Sequence, residues 1–175
     1  MKNAADYVAK GRQKVSTLRF LGIFALLALA GFAIEIVPWV DTNVVAPLTE
    51  GITWVCAKLI LAFGGVAQVH SNVIQYPGGF SIRVSNGCSG LEGLILLFSA
   101  ILAFPAKLAY KALGLLLGTV AIMGLNIVRV ISLYYLGQYS TEWFNWAHLY
   151  AWDVLIMIDG LVVFILWLRQ IPRGH

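Results

Sequence analysis

Three residues whose types can support catalysis stand at the borders of long apolar segments. Cys88 follows a polar loop and precedes one apolar run, Arg129 interrupts a second, and His148 precedes a third. If Cys88 opens a helix, its thiol lies at the positive end of the helix dipole, which favours the thiolate. If that helix spans a membrane, the thiol lies at the membrane–water interface. Together the three residues indicate nucleophilic catalysis at a membrane surface.

The composition predicts a single integral membrane domain over residues 1–175. Of the 175 residues, 60% are hydrophobic and 11% are charged, whereas soluble domains carry about 25% charged residues. The net charge of +4 comes from short basic clusters beside apolar runs, which is typical of membrane borders and does not indicate nucleic-acid binding. We expect no cleavable leader, because the first apolar run is too long for one. We also expect no metal site and no cofactor.

Four apolar runs predict membrane spans, since a helical crossing takes about 20 residues. The predicted spans cover residues 18–37, 88–104, 112–136 and 148–168. Lys107 and Lys111 follow the second span and Arg169 follows the fourth. By the positive-inside rule these basic residues are cytoplasmic, as are residues 1–17 and both chain termini. Cys88 is then expected on the outer side.

The segment between the first two spans is expected to stay on the outer side. It contains a further apolar run, 52–66, but a full crossing there would move Cys88 into the cytoplasm and Lys107 to the outside. We therefore expect residues 43–65 to form an outer interfacial or re-entrant helix. The alternative is a fifth full span with inverted downstream topology.

A β-hairpin is expected to follow this helix within the outer-side segment 43–87. Two β-prone runs, 73–76 and 80–84, flank a loop of Pro-Gly-Gly, which is typical of a hairpin with a three-residue loop. The hairpin would deliver the chain into Cys88 from outside. The predicted fold class is therefore an all-α polytopic membrane protein with four transmembrane helices, an outer interfacial or re-entrant helix and a short β-hairpin.

The three candidate residues are expected to lie at a similar depth near the outer interface. At 1.5 Å per helical residue, Cys88 and Arg129 each lie roughly 25 Å from the cytoplasmic ends of their helices, and His148 roughly 30 Å. Each has an ordinary alternative role, because buried cysteines are usually inert and arginine or histidine side chains often reach an interface. Their coincidence in depth favours a common site.

Three further polar residues are expected to support this site. Glu92 lies one helical turn after Cys88 and either pairs with Arg129 or tunes the thiolate. Asn126 shares a helical face with Arg129 and is expected to orient the guanidinium or the substrate backbone. Ser89, directly after the thiol, is the third supporting candidate.

The remaining candidates fit a catalytic role less well. His70, in the expected outer loop, is the main rival to His148 as the base. Asp159 lies roughly 16 Å from His148 along the helix axis, too far to be its partner, and is expected to pack against a polar neighbour. Cys56 lies within an apolar run, where a packing role is expected.

The segments 86–90 (NGCSG) and 126–130 (NIVRV), together with His148, resemble the exosortase/archaeosortase family. The short chain is most similar to the compact H-type exosortases. In that family a cysteine, an arginine and a histidine on separate transmembrane helices form the proposed active site. The resemblance covers roughly residues 85–152, and the N-terminal part agrees only in architecture. It implies a membrane cysteine transpeptidase or peptidase in the cytoplasmic (inner) membrane, with its active site facing outside.

The resemblance also implies the substrate class, and general chemical principles then assign a catalytic role to each of the three residues. The expected partners are membrane lipid and exported proteins that end in a short motif, a membrane helix and a basic tail. Cys88 would attack the scissile carbonyl, Arg129 would stabilise the oxyanion, and His148 would act as general acid and base. The family resemblance implies transfer, and the acceptor is left open between water, an amine and a lipid, as is the oligomeric state.

Two alternatives belong to other functional classes. One is a non-enzymatic membrane assembly subunit, in which the polar residues only join helices. The other is a transporter component, in which Arg129 and Asp159 line a pathway. A transporter predicts polar residues through the full membrane depth, whereas here they concentrate at one level apart from Asp159, which favours the enzyme.

Overall fold

The computed structural model describes residues 17–171, except for the side chains of Asn86 and Asp153. In this part of the chain the helices are α1 (Thr17–Glu35), α2 (Pro38–Ala62), α3 (Leu91–Ala103), α4 (Leu108–Tyr139) and α5 (Thr141–Gln170). The strands are β1 (Gln68–His70), β2 (Val73–Gln75) and β3 (Ser81–Arg83). The expected cytoplasmic segment 1–17 lies outside the described residues, apart from Thr17.

The predicted fold class, an all-α polytopic membrane protein, is confirmed. Within residues 17–171, four helices are long and apolar enough to cross a membrane, namely α1, α2, α4 and α5. The strands form one small antiparallel sheet between α2 and α3. Helices therefore account for most of the apolar framework, and the sheet, which adds Ile74 and Ile82 to it, is an insertion that leads into α3.

The four membrane-length helices are not the same four segments that the sequence predicts. The span expected over 88–104 contains the 13-residue helix α3, which is shorter than a usual crossing of about 20 residues. The segment 43–65, expected at the outer surface, belongs mostly to α2, which has 25 residues. The length of α2 is compatible with a full crossing, so its placement at the outer surface stays a prediction.

Helix α2 continues through a proline because its backbone widens just before it. Residues Asp41–Val45 form a π-helical turn, and Pro47 follows in the next turn. A proline ring normally clashes with the carbonyl one turn earlier and removes a hydrogen bond. The wider π turn accommodates both effects, so one continuous helix runs from Pro38 to Ala62.

Helix α3 lies in the middle of the helical bundle, where it packs against α1, α4 and α5. Its residues Leu94, Leu97 and Ile101 form an apolar cluster with Ile122 of α4 and Trp167 of α5. Close approach depends on glycines of α4: a Cβ added at position 118 would lie 2.4 Å from a methyl carbon of Leu97. The short helix is thus enclosed by its neighbours.

The expected hairpin is confirmed, and a further strand extends it. Strands β2 and β3 pair in the register Ile74↔Ile82, and the Tyr76 amide donates to the Phe80 carbonyl at 2.9 Å. Strand β1, which the sequence did not predict, pairs with β2 across a turn in which Ser71 has a positive φ of 54°. Because β1 is exposed along its length, it lacks the alternating apolar pattern that marks a half-buried strand.

Candidate active site

Cys88 lies before α3 and not within its first turn, which corrects the expected helix start. It ends a short 3-10 turn, Asn86–Cys88, and its amide donates to the Ser85 carbonyl at 2.8 Å. Gly90 then adopts a left-handed conformation with φ of 75°, so the α-helix begins only at Leu91. The thiol therefore lies outside the helix, and the helix dipole is not the main influence on it.

Arg129 of α4 places a charged group beside the thiol. Its side chain is only 2% exposed, and its Nη2 atom lies 4.0 Å from Cys88 Sγ. The same Nη2 lies 3.4 Å from Nδ1 of His148. A buried guanidinium at this distance can stabilise negative charge that develops beside it, because the interior screens charge poorly. Arg129 does not reach the solvent as a simple interfacial anchor would.

His148 completes the group from α5. Its Nε2 and Nδ1 atoms lie 3.8 and 3.9 Å from Cys88 Sγ. The sequence predicts that His148 starts its helix, but the structure places the start of the helix earlier. Helix α5 begins at Thr141, where the Ser140 hydroxyl accepts a hydrogen bond from an amide of the first turn, as N-cap residues do. Arg129 and His148, from separate helices, thus both lie within 4.0 Å of the Cys88 sulfur.

The backbone around His148 is locally wider than an α-helix. Residues Ala147–Ala151 form a π-helical turn, and such turns are frequent at functional sites. The ring lies 5.7 Å from that of Phe144, which in turn packs edge-on against Phe80 of the hairpin at 5.2 Å. The hairpin therefore supports the histidine through an aromatic stack. The sequence placed Phe80 only within a β-prone run, and its packing against Phe144 was not predicted.

The contact between arginine and histidine selects a tautomer. A guanidinium can only donate hydrogen bonds, so Nδ1 of His148 has to be the acceptor in this contact. Neutral His148 then carries its proton on Nε2. The arrangement holds a positive charge next to both the sulfur and the imidazole.

The supporting residues occupy different positions from those expected. Asn126 is fully buried, and within the described residues neither amide atom has a hydrogen-bond partner, so it does not orient Arg129. It packs against the loop instead: a Cβ at Gly90 would lie 3.2 Å from its Cγ. Ser89 is buried, and its hydroxyl accepts a hydrogen bond from the Leu91 amide at 3.2 Å. Ser89 therefore stabilises the start of α3.

An elongated cavity of about 460 Å³ reaches this site from the helical bundle. Its polar end is lined by Gly87, Glu92 and Arg129, and its apolar walls come from α1, α3 and α5. Glu92 is exposed, and over residues 17–171 no ion pair joins it to Arg129. The cavity thus connects an apolar environment with the guanidinium that lies against the thiol.

The remaining candidates lie apart from the thiol. His70 is exposed at the end of β1. Cys56 is fully buried, with its Sγ 4.0 Å from the Ile127 carbonyl, and joins α2 to α4. One carboxylate oxygen of Asp159 in α5 is buried with no hydrogen-bond partner among the described residues, so the expected polar neighbour is not found. In the same part of the chain, no three His, Cys, Asp or Glu side chains are grouped to hold a metal ion.

Comparison with known proteins agrees with this architecture. The family model described as transmembrane exosortase matches residues 7–168, which include all the elements described above except the last residues of α5. No curated protein and no solved structure matches the chain significantly. The match covers Cys88, Arg129 and His148 together with the helices that carry them.

Proposed function

Because the chain belongs to the transmembrane exosortase family, we propose that it is a cysteine transpeptidase that processes C-terminal sorting signals of exported proteins. Its substrates carry a recognition motif, a membrane helix and a basic tail, and the motif reaches the thiol at the outer face of the cytoplasmic membrane. The observation that carries this proposal is the position of Cys88 Sγ within 4.0 Å of both Arg129 and His148. The general role in membrane protein sorting follows from the family.

The first chemical step forms a thioester. The Cys88 thiol passes its proton to Nδ1 of His148, and Sγ attacks the scissile carbonyl carbon. Because Arg129 occupies Nδ1 at rest, its guanidinium has to turn from the ring towards the developing oxyanion. This movement frees Nδ1 for the proton and places donors at the new negative charge, where such stabilisation is strongest. The oxyanion in turn offsets the charge of the imidazolium beside the arginine.

The second step releases the membrane-anchored tail of the substrate. The tetrahedral intermediate collapses, the carbon–nitrogen bond breaks, and the imidazolium of His148 protonates the leaving amine. The exported portion remains on Cys88 as a thioester. An acceptor then attacks the thioester carbonyl, His148 takes the acceptor's proton, and the thiolate leaves. The acceptor is a nucleophilic amine, a lipid group or water.

Trapping the thioester tests the proposal. The purified enzyme is incubated in nanodiscs with an exported protein of the same organism that ends in a motif, a membrane helix and a basic tail. Hydroxylamine added as acceptor should convert the thioester to a C-terminal hydroxamate, which mass spectrometry detects on the shortened protein. If no exported protein of this kind from the organism is shortened, the transpeptidase function is contradicted.

Replacing Arg129 with lysine is expected to lower the turnover rate about 100- to 1000-fold, the usual effect of losing one oxyanion donor. Lysine keeps the charge but not the planar fork of donors. Initial rates on one substrate measure the effect, and Arg19→Lys, at an exposed position of α1, is the matched control. A rate close to wild type would indicate that a positive charge alone is sufficient.

The proposed topology predicts that Ser85 is outside and Lys107 is inside. Both residues are exposed, whereas Cys88 is only 5% exposed and would react poorly with a bulky reagent. Single cysteines at positions 85 and 107, in a background without Cys56 and Cys88, are treated with a membrane-impermeant maleimide. We expect labelling at 85 in intact cells and at 107 only after permeabilisation. The opposite pattern would invert the topology.

A further inference from the structure

Strand β3 has an open edge that leads directly to the thiol. The sheet order is β1-β2-β3, so β3 pairs on one side only. From its last residue, Arg83, five residues of chain reach Cys88, a path of at most about 17 Å. Unpaired strand edges are ready templates for another extended chain. The feature therefore combines a free hydrogen-bonding edge with a short path to the sulfur.

The register of the sheet shows which main-chain groups face this edge. The Tyr76 amide donates to Phe80, and the Val84 amide donates to Asn72. In an antiparallel pair every second residue bonds the neighbouring strand. Between positions 80 and 84, the residue whose main-chain groups point towards β2 is therefore Ile82. The amide and carbonyl groups of Ser81 and Arg83 therefore point away from β2.

Strand β3 packs against α4, and its side chains alternate between buried and exposed. Ile82 is 5% exposed and packs into the apolar cluster around the site, while Ser81 and Arg83 on the other face are exposed. Within residues 17–171, no side chain or backbone group from outside the sheet bonds the main chain of Ser81 or Arg83. The open edge thus offers two donors and two acceptors spaced for a strand.

We propose that the substrate segment upstream of the scissile bond binds as an added strand on the open edge of β3. This inference rests on the proposed function, because it is the peptide substrate that requires such a binding site. Adding a strand supplies affinity through main-chain hydrogen bonds and leaves side-chain preferences to neighbouring pockets. The substrate is then extended alongside the segment that ends at Cys88, with its scissile carbonyl carried towards the sulfur.

A peptide reagent that alkylates the thiol tests this binding without knowledge of the natural motif. N-acetyl-tetra-alanyl chloromethyl ketone and the small reagent chloroacetamide are compared on purified full-length protein that carries Cys56→Ala. Thiolate displaces chloride in both cases, so the ratio of the two labelling rates at Cys88 reports how well the peptide is held. Mass spectrometry of the labelled protein measures each rate.

Ser81→Pro is the decisive variant. Proline removes the outward-facing amide of position 81 and leaves the β2 ladder intact, as edge-strand prolines do. We expect the peptide reagent to label this variant about fivefold more slowly, as loss of a main-chain hydrogen bond implies, with the chloroacetamide rate unchanged. Ser81→Ala keeps the amide and should match the parent protein. Equal peptide labelling of the proline variant and the parent would overturn the added strand.

N-methylated peptides make the same test without changing the protein. Alternate residues of an added strand bond its neighbour, so methylating each amide of the reagent in turn should slow labelling at alternate positions only. A uniform effect at all positions would overturn the proposal. Normal sorting-signal processing by Ser81→Pro would reject the edge and leave the transpeptidase proposal standing. Failure of both reagents to label Cys88 would contradict the proposed nucleophile itself.

Discussion

Cys88→Ala should abolish substrate processing, whereas Cys56→Ala should leave it largely intact. The two cysteines are both buried, but only Cys88 has Arg129 and His148 against its sulfur. Cys56 has a backbone carbonyl 4.0 Å from its sulfur, and it packs between two helices. Alanine at position 88 removes the nucleophile, so no thioester can form. The effect is measured in cells that express each variant, where immunoblotting detects whether the substrate has lost its C-terminal tail.

Equal accumulation of the two variants in the membrane is the condition for this comparison. Cys56→Ala creates a small cavity between α2 and α4, and its expected cost is in stability, not in turnover. Cys88→Ser serves as an additional variant, since it preserves the size of the side chain and replaces sulfur with a much weaker nucleophile. Normal processing by Cys88→Ala would show that another residue attacks the substrate, and normal processing by Cys88→Ser would show that a thiol is not required.

His148→Ala should lower the rate about 100- to 10,000-fold, the usual range for loss of a general acid and base. The ring lies within 3.9 Å of the thiol, and it is the group placed to protonate the leaving amine. His70→Ala should have little effect, because His70 is exposed on β1. Initial rates of the two variants on one purified substrate, at equal enzyme concentration, provide the measurement.

The two histidine variants also test the role of the hairpin. If His148→Ala keeps its activity and His70→Ala loses it, the hairpin has to fold over the thiol during turnover and the assignment is reversed. Phe144→Leu gives a graded comparison, since it removes the aromatic ring against His148 without changing any titratable group. We expect a smaller loss of rate for this variant than for His148→Ala, because the histidine is displaced but not removed.

Hydropathy and charge were sufficient to predict the membrane architecture but not the identity of every long helix. Runs of apolar residues identified α1, α4 and α5 directly, because a bilayer imposes length and composition on any segment that crosses it. The segment of α2 was predicted as an outer interfacial or re-entrant helix over residues 43–65, because a full crossing there would move Cys88 into the cytoplasm. The π turn that lets this helix pass Pro47 is a backbone adjustment that leaves no trace in hydropathy.

The members of the candidate site were predictable from their residue types and from their positions at the borders of apolar runs. Its contacts were not predictable in detail. Helix α3 starts at Leu91 because Gly90 has a positive φ, and Asn126 packs against that loop instead of orienting Arg129. Both outcomes depend on the exact path of the loop before α3, which neighbouring elements determine.

The sequence by itself determined that this is a membrane protein of the exosortase type, with a cysteine, an arginine and a histidine at one level. These conclusions depend on composition, length and short motifs, which are local properties. Only the tertiary structure decided that Cys88, Arg129 and His148 meet within 4.0 Å, and that Cys56 and His70 are apart from them. The rotation of each helix about its axis sets which side chains face one another, and that rotation results from packing among α3, α4 and α5, not from any single segment.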